Sequence, residues 1–322
     1  MKNIVIIGGG TGTSTLLSGL REFPTNNSVI VSTADDGGST GKLRKELGVM
    51  PPGDLRQCLI GLSHADPVLK NLFVYRFNKG ELAGHTIGNI MLAALEKMTD
   101  VTTAIATLAK MLQVEGSIVP VTLFPTNLSA ILENGKRIAG EHAIDEPRHN
   151  GASPISSLSL RPSQPANPRA LALIRQADAI VFGPGDLYTS TIPNLLVKGV
   201  SEALKKSKAV KILITNIMTK HGQTNGFKAS DFVVAMQKYV PIDVLIVNNK
   251  KPTRSQAALY KKEKSVFVEP DIPTLKKFGL KVIALPLLSS NTFAKSDGDD
   301  LKRSYVRHNA KKLSKILYKL VA

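Results

Sequence analysis

The 322-residue sequence has no tryptophan, a single cysteine and only 5% aromatic residues. The one cysteine, Cys58, excludes an intrachain disulfide and leaves too few thiolates for a cysteine-based metal site, which favours a reducing compartment. No stretch approaches the roughly 18 apolar residues of a transmembrane helix, and the apolar start of the chain meets glycine too soon for a signal peptide. We therefore expect a cytoplasmic protein without a membrane segment.

Because aromatic residues are scarce, the 43% of hydrophobic residues must build an aliphatic core, which suits a buried parallel sheet. The net charge is +17, and the last 72 residues carry 16 Lys and Arg against 6 Asp and Glu. This excess fits either a nucleic-acid surface or a solvated basic surface that attracts small anions. No zinc-finger spacing, basic zipper region or interleaved aromatic residues accompany it, so nucleic acid is the less favoured ligand.

The order of predicted elements defines the fold class. "NIVIIG", "TSTLLSGLREF" and "SVIVSTAD" indicate a strand, a helix and a second strand, and further strands and helices alternate after residue 170. A helical stretch follows the second strand, and we place it on one side of the sheet. We predict one α/β domain over 1–322, with a Rossmann-like, doubly wound, mostly parallel sheet, helices on both faces and a small antiparallel β insertion at about 116–161.

The loop "GGGTG" lies between the first strand and the first helix. Its glycines Gly9, Gly10 and Gly12 permit close approach of a ligand to backbone N–H groups at a helix N-terminus, where phosphate binds well, and Thr11 adds a hydroxyl. The dinucleotide fingerprint is incomplete because Thr13 stands where a third glycine belongs, and no Walker lysine follows. The alternative is a structural turn that binds nothing.

A second loop, "GPGDLYTS", also follows an apolar strand, with Gly183 and Gly185 flanking Pro184 and with Asp186 and Tyr188 beyond. Loops at the carboxyl ends of strands meet at one edge of an α/β sheet. Two such glycine loops suggest a diphosphate held from both sides. The alternative is an ordinary strand-to-helix turn.

Adjacent carboxylates in "TADDGGSTG" offer further ligand chemistry. Asp35 or Asp36 could bind a ribose or hold Mg²⁺ together with phosphates, while the other caps the loop. An Asx-turn, in which an aspartate bonds its own backbone, explains the same pattern equally well.

Four further polar positions are less specific. Asp54 suits the first turn of a helix, and Arg56, two residues on, could reach a phosphate. His85 and Asn89 stand four residues apart and share a helix face if that helix begins early enough. A lone histidine is more often structural than catalytic, and the histidines show no metal-ligand spacing.

The motifs "IGGGTGTSTLLSGL", "TADDGGSTGKLR", "PPGDLRQCL", "HTIGN", "GPGDLYTSTIPNLL", "TNIMTKHGQT" and "YVRHNAKKL" together resemble the YvcK/CofD family, in order and along nearly the whole chain. The resemblance implies a Rossmann-like core. In the CofD branch it implies transfer of a phospholactyl group from a guanosine-diphosphate-linked donor with Mg²⁺. In the YvcK branch, the so-called gluconeogenesis factors, it implies a cytoplasmic protein linked to cell shape and carbon use that binds nucleotide sugars.

The "DDGGST" and "GKLR" segments favour the YvcK branch. The resemblance implies that the phosphates contact the first glycine loop, that a set of residues lines the crevice, that Tyr260 stacks on the base and that Arg307 pairs with phosphate. The implied residues are Gly9, Gly10, Thr11 and Gly12 for the phosphates, and Asp35, Asp36, Asn89, Gly185, Leu187, Tyr188 and Asn216 for the crevice. The chain departs from the family at Asn309, where an aspartate is usual, and over Lys220–Thr224, where a Gln-Pro-Gly-Glu-Thr run is usual.

Two hypotheses follow. The first is a regulatory protein that binds a nucleotide sugar of the UDP-N-acetylglucosamine or UDP-glucose type without turnover. The second is a transferase acting on a nucleoside-diphosphate-linked donor, in which Asp35 or Asp36 is catalytic and Asp36 holds Mg²⁺. A dehydrogenase using NAD is a third alternative, but no acid–base dyad for hydride transfer stands out. The expected partner is a nucleotide-diphosphate ligand, and a homodimer and unknown protein partners remain open.

Overall fold

The computed structural model describes residues 1–147, 150–293 and 304–322. No helix within these three ranges is long and apolar enough to cross a membrane. The strands in this part of the chain are β1 (Lys2–Ile7), β2 (Thr25–Val31), β3 (Ser117–Pro120), β4 (Asn127–Leu132), β5 (Arg137–Ala139), β6 (Ile155–Arg161), β7 (Ala179–Phe182), β8 (Val210–Ile214), β9 (Val244–Asn248) and β10 (Lys281–Leu285).

Helices connect the strands. Those in the described residues are α1 (Gly10–Leu20), α2 (Gly38–Leu47), α3 (Pro52–Leu62), α4 (Pro67–Val74), α5 (Ile87–Met98), α6 (Val101–Met111), α7 (Glu141–Asp145), α8 (Pro168–Gln176), α9 (Ile192–Leu195), α10 (Val200–Lys206), α11 (Ala229–Gln237), α12 (Arg254–Lys261), α13 (Ile272–Leu275) and α14 (Ala310–Val321). A π-helical turn (Leu187–Thr191) precedes α9, and a 3₁₀ turn (Lys276–Phe278) follows α13.

The large sheet in the described residues has seven strands in the order β10-β9-β8-β7-β1-β2-β3, and every neighbouring pair is parallel. The chain moves outward in one direction from β1 to β3, returns to β7 beside β1, and then moves outward in the other direction. This is the doubly wound order of a Rossmann-like sheet with one added strand. The predicted fold class is confirmed.

Side chains of each strand alternate between two hydrophobic cores, one on each face of the sheet. Ile4 and Ile6 face a core built with helices α1, α3, α5, α6 and α14. Val5 and Ile7 face a core built with the small sheet and helices α8, α10 and α11. The predicted placement of the helical stretch after β2 on one side of the sheet is confirmed.

The small antiparallel sheet has the order β5-β4-β6 and covers part of the second face. Its bounds differ from the sequence prediction of about 116–161. The strand Ser117–Pro120 pairs in parallel with β2 and belongs to the large sheet, because its apolar residues fit the buried edge next to β2. The antiparallel part therefore begins at Asn127, and the turn "ENGK" joins β4 to β5 in a hairpin.

Helix ends follow local sequence signals. Asp100 caps α6, since one carboxylate oxygen accepts hydrogen bonds from the N–H groups of Thr102 and Thr103 at 2.8 and 3.1 Å. The basic terminal helix α14 packs its apolar face against α1, where Gly19 permits close approach. The first helix, which opens at the cleft described below, is thus supported by the last.

Replacing Gly19 by alanine tests this contact. The added Cβ would lie 2.6 Å from the carbonyl oxygen of Ala310 and 2.4 Å from Oγ of Ser314. We expect the free energy of unfolding to fall by about 1–3 kcal/mol, as for other overpacked interiors, measured by urea denaturation. Ser18→Ala is the control, because the Ser18 hydroxyl bonds only the Thr15 carbonyl within α1. Equal stability of Gly19→Ala and the control would contradict the prediction.

Candidate functional site

A cleft opens at the carboxyl ends of β1 and β7, the neighbouring strands from which the chain leaves in opposite directions. Ligands of doubly wound sheets bind at this reversal of strand order. Both glycine loops reach the cleft, the first directly after β1 and the second directly after β7. The sheet topology therefore brings together two loops that are about 170 residues apart in sequence.

The first loop joins β1 to α1 with Gly9 as the N-cap residue, which has no side chain of its own to cap the helix. The N–H groups of the first turn of α1 therefore face the cleft with the positive end of the helix dipole. Gly9, Gly10, Thr11 and Gly12 all line the cleft. The Thr11 hydroxyl donates to the side chain of Gln57 at 3.0 Å.

The two glycine loops touch each other. A Cβ on Gly12 would lie 2.4 Å from the carbonyl oxygen of Pro184, and the Thr13 hydroxyl donates to that same oxygen at 3.3 Å. A Cβ on Gly9 would lie 1.9 Å from a carboxylate oxygen of Asp54. The glycines are thus required by close packing around the cleft.

The second loop contributes only part of what the sequence predicted. Gly185 and Asp186 line the cleft, but Gly183, Leu187 and Tyr188 do not. Leu187 and Tyr188 lie in the π-helical turn, which rotates both side chains into the hydrophobic core of the second face. The two side chains support the loop from the core, and their role as ligand contacts stays a prediction.

The adjacent carboxylates Asp35 and Asp36 point to different places. Asp35 lines the cleft, and its carboxylate accepts hydrogen bonds from the N–H of Gly37 at 2.9 Å and from the Thr40 hydroxyl. Burial, opposed by these bonds, raises its pKa, and the nearby Asp36 and Asp145 raise it further. Asp36 instead accepts the N–H of His142 at 2.7 Å and does not line the cleft. The Asp36 carboxylate thus ties α7 to the loop after β2, and its role as a metal ligand stays a prediction.

Further carboxylates in the cleft come from α7, a helix that the sequence did not suggest as part of the site. Glu141 lines the cleft, and burial raises its pKa well above the usual range, with Asp35, Asp145 and Asp54 adding repulsion. Its sequence context, "AGEHAID", carries no motif that marks a site. Only the folding of the small sheet brings Glu141 beside residues about 100 positions earlier.

The loop after β8 provides a cation. Nζ of Lys220 lies 3.0 Å from the Asp145 carboxylate and 3.2 Å from that of Asp186. Burial lowers the pKa of Lys220, but the two carboxylates outweigh burial and raise it. Lys220 therefore stays positively charged between α7 and the second glycine loop.

Asn89 belongs to a buried hydrogen-bond network on the wall next to β2. Its side-chain oxygen accepts from Nε of Arg56 at 2.8 Å, and its amide donates to the Ser39 hydroxyl at 3.1 Å. That hydroxyl pairs with Nδ1 of His85 at 2.9 Å. Burial, helped by Lys42, lowers the pKa of His85. Asn89 and Arg56 both line the cleft, whereas His85 supports them from behind.

The cleft is also lined by three predicted residues that follow β8 in the sequence, Asn216, Tyr260 and Arg307. Tyr260 is 4% exposed, its ring packs edge to face on Tyr305 with centroids 5.4 Å apart, and its hydroxyl accepts the N–H of Val306 at 3.0 Å. The Arg307 guanidinium lies 4.0 Å from the ring centroid of Phe293, a cation–π contact. The predicted base-stacking face of Tyr260 is thus largely covered by its own cluster.

His308, next to Arg307, was not predicted as a site residue. It lines the cleft while 7% exposed, burial lowers its pKa to about 4, and its Nε2 has no hydrogen-bond partner among the described residues. A neutral imidazole with an unsatisfied nitrogen suits a hydrogen bond to a ligand.

A metal ion in the cleft would depend on the ligand. In the part of the chain that the structure describes, no three His, Cys, Asp or Glu side chains stand close enough together to hold an ion. Mg²⁺ is often held by one or two carboxylates with phosphate and water completing its shell. Asp35 fits that limited role, because it lines the same cleft as the two glycine loops.

Fold and cleft together define a Rossmann-like α/β protein with a candidate binding cleft where strand order reverses. A family model described as 2-phospho-L-lactate transferase CofD matches residues 4–288. The chain is 40% identical to the gluconeogenesis factor of Halalkalibacterium halodurans, covering 98% of this chain and 95% of that relative. It is 38% identical to the gluconeogenesis factor of Bacillus subtilis, covering 99% and 98% of the two chains.

The same relationship holds in three dimensions. The crystal structure of a member of the UPF0052 family from Bacillus halodurans superposes with a TM-score of 0.90 at 38% identity and covers 98% of each chain. This chain therefore belongs to the CofD family, and within it to the group of the gluconeogenesis factors.

Glu141→Gln tests the electrostatic cost of the cleft. Burial raises the pKa of Glu141 in the folded state, so its carboxylate does not lower the free energy of unfolding below the ordinary pKa of glutamate. Above that pH the loss of stability grows as pH rises through the folded-state pKa. We expect the variant to be more stable than the wild type by about 1 kcal/mol at pH 8, with the difference vanishing towards pH 4. Denaturant unfolding at both pH values measures it, with Glu115→Gln as the exposed control. A variant no more stable at pH 8 would contradict this prediction.

Proposed function

We propose that this protein binds a nucleotide sugar of the UDP-N-acetylglucosamine or UDP-glucose type in the cleft and acts as a regulator without turning the ligand over. The observation that carries the proposal is the contact of two glycine loops at the switch point, with the N-terminus of α1 at the cleft. A diphosphate is the ligand group that this backbone best accommodates.

Side chains around the loops supply what the other parts of such a ligand need. Arg56 and Arg307 provide guanidinium groups that suit phosphate, and Asn216 and His308 provide uncharged polar groups beyond β8. The cleft carboxylates Asp35, Glu141, Asp145 and Asp186 suit hydrogen bonds from hydroxyl-rich ligands such as sugars. An anionic sugar-linked diphosphate therefore matches both the basic and the acidic parts of the cleft.

The biological role follows the relatives. Proteins 38–40% identical over nearly the full chain are named gluconeogenesis factors, a name that refers to carbon metabolism and specifies no chemical reaction. In this proposal the protein is a cytoplasmic sensor whose bound state adjusts carbon-source use and cell shape. The excess positive charge attracts the anionic ligand and is otherwise solvated.

A second candidate function is a Mg²⁺-dependent transferase that acts on a nucleoside-diphosphate-linked donor. The family model carries the name of a transferase, and Asp35, Glu141 and Asp186 are cleft carboxylates whose pKa values are raised, as is common at catalytic sites. Catalysis would proceed mainly by positioning and charge stabilisation. Asp35, which faces the cleft, replaces Asp36 as the residue that would hold the ion.

Calorimetric titration with UDP-N-acetylglucosamine tests the binding proposal. We expect saturable binding to the wild type, weakened roughly 10- to 100-fold by Arg307→Ala because a hydrogen bond to a charged group is lost. Arg254→Ala, an exposed residue of α12, is the matched control and should bind normally. No binding of any UDP-sugar at millimolar concentration would refute the proposal, and preference for GDP or NAD would move the ligand assignment to those classes.

Donor consumption separates the two candidates. The protein is incubated with UDP- and GDP-linked donors, an acceptor mixture and Mg²⁺, and the remaining donor is quantified by chromatography. We expect no consumption above a protein-free blank. Mg²⁺-dependent consumption that Asp35→Asn abolishes and Asp36→Asn leaves measurable would establish the transferase instead, since only Asp35 lines the cleft.

A further inference from the structure

Lys220 connects three separate segments of the chain at one end of the cleft. It follows β8, Asp145 ends the short helix α7 of the small sheet, and Asp186 begins the π-helical turn after β7. Its Nζ lies 3.0 Å from one carboxylate and 3.2 Å from the other. The three side chains are 23%, 19% and 29% exposed, so all of them still meet the cleft.

The surroundings hold this arrangement in one geometry. The backbone N–H of Lys220 donates to the Thr224 hydroxyl at 2.8 Å, and this hydrogen bond closes the turn between the two residues. The Asp145 carboxylate also accepts from the Thr189 hydroxyl at 3.3 Å and from the side-chain amide of Gln223 at 3.1 Å. The ammonium is therefore fixed in place before any ligand arrives.

The charges explain why a cation is needed at this point. Asp145 and Asp186 both contact one ammonium, so their carboxylates would repel each other strongly in its absence. Lys220 and the hydrogen bonds overcome the opposing effect of burial and lower the pKa of Asp145. Burial and the neighbouring Asp145 raise the pKa of Asp186 despite Lys220. Two carboxylates that converge on one point offer the hard oxygen ligands that a divalent cation prefers.

We infer that Lys220 is a resident cation of the cleft, standing where a divalent ion would otherwise bridge Asp145 and Asp186, and that it lets an anionic ligand approach this end without added metal. The part that concerns the ligand rests on the proposed function. Lys220 is here a positioning residue, because it acts through the two carboxylates and the loops that carry them. Its removal creates a metal requirement that the wild-type protein lacks.

The first experiment measures metal binding directly and needs no knowledge of the ligand. Free Mn²⁺ is followed by electron paramagnetic resonance during titration of the wild type, Lys220→Met and the double variant Lys220→Met/Asp186→Asn. We expect Lys220→Met to bind one equivalent of Mn²⁺ more than the wild type, and the double variant to lose that equivalent. Lys228→Met, which removes an exposed lysine paired with Glu269 at 3.8 Å, is the control and should match the wild type. No additional equivalent in Lys220→Met would overturn the inference.

Should Lys220→Met fold poorly, thermal unfolding of Lys220→Gln gives the same answer. Mn²⁺ should raise its melting temperature by several degrees more than that of Lys220→Gln/Asp186→Asn. Lys220→Arg keeps the charge and should show no such response. An equal response of the single and the double variant to Mn²⁺ would count against a resident cation, because the ion would then bind elsewhere.

The second experiment concerns the ligand. We expect the wild type to bind UDP-N-acetylglucosamine equally in EDTA and in Mg²⁺, and Lys220→Met to bind roughly tenfold more weakly in EDTA and to recover in Mg²⁺. Wild-type binding that requires Mg²⁺ would overturn this inference and leave the proposed function standing. Absence of any UDP-sugar binding would instead refute the proposed function, and the Mn²⁺ titration would still decide the role of Lys220.

Discussion

The contact between the two glycine loops is the constraint on which the cleft depends. Gly12 lies so close to the Pro184 carbonyl that even a methyl group would force the loops apart. This contact holds the N-terminus of α1 and the turn after β7 at a fixed separation. The parallel pairing of β1 with β7, the strands that lead into the two loops, sets the same separation. Each loop alone is a common strand-to-helix turn. Their juxtaposition makes a site that presents backbone N–H groups from the first loop beside the second.

Around this backbone frame the cleft carries charges that oppose folding. Asp35, Glu141 and Asp186 all have raised pKa values, chiefly because burial disfavours their ionised forms. Lys220 relieves only part of that repulsion, since it pairs with Asp145 and Asp186 and not with Glu141. A cluster of this kind costs stability in every folded molecule. All three carboxylates line the cleft, so this loss of stability is tied to the candidate site.

Much of the fold was predictable from the sequence because the relevant signals are local. Apolar runs ended by glycine mark β1 and β7, and the Asp100 cap marks the start of α6. The small sheet was placed about ten residues too early, because the pattern of Ser117–Pro120 indicates a strand without indicating its partner. Pairing partners are set by tertiary packing, which a single sequence does not display.

The site was predictable where it consists of loops and less so where it depends on orientation. The sequence could predict that Gly9–Gly12, Asp35 and Gly185 lie together, because glycine and aspartate clusters follow strands whose carboxyl ends meet at one edge of the sheet. It could not predict that Leu187 and Tyr188 point away from the cleft, because the π-helical turn rotates them inward. Glu141 escaped notice because nothing near it in sequence relates it to the glycine loops.

The short helix α7 has a mechanical consequence. Asp36 accepts the His142 N–H at one end of α7, and Lys220 pairs with Asp145 at the other, so two cleft loops grip five residues of helix. The hairpin strands β4 and β5 lead directly into that helix. A shift of either loop would therefore displace α7 and, through β4 and β5, the small sheet that covers part of the second face of the large sheet.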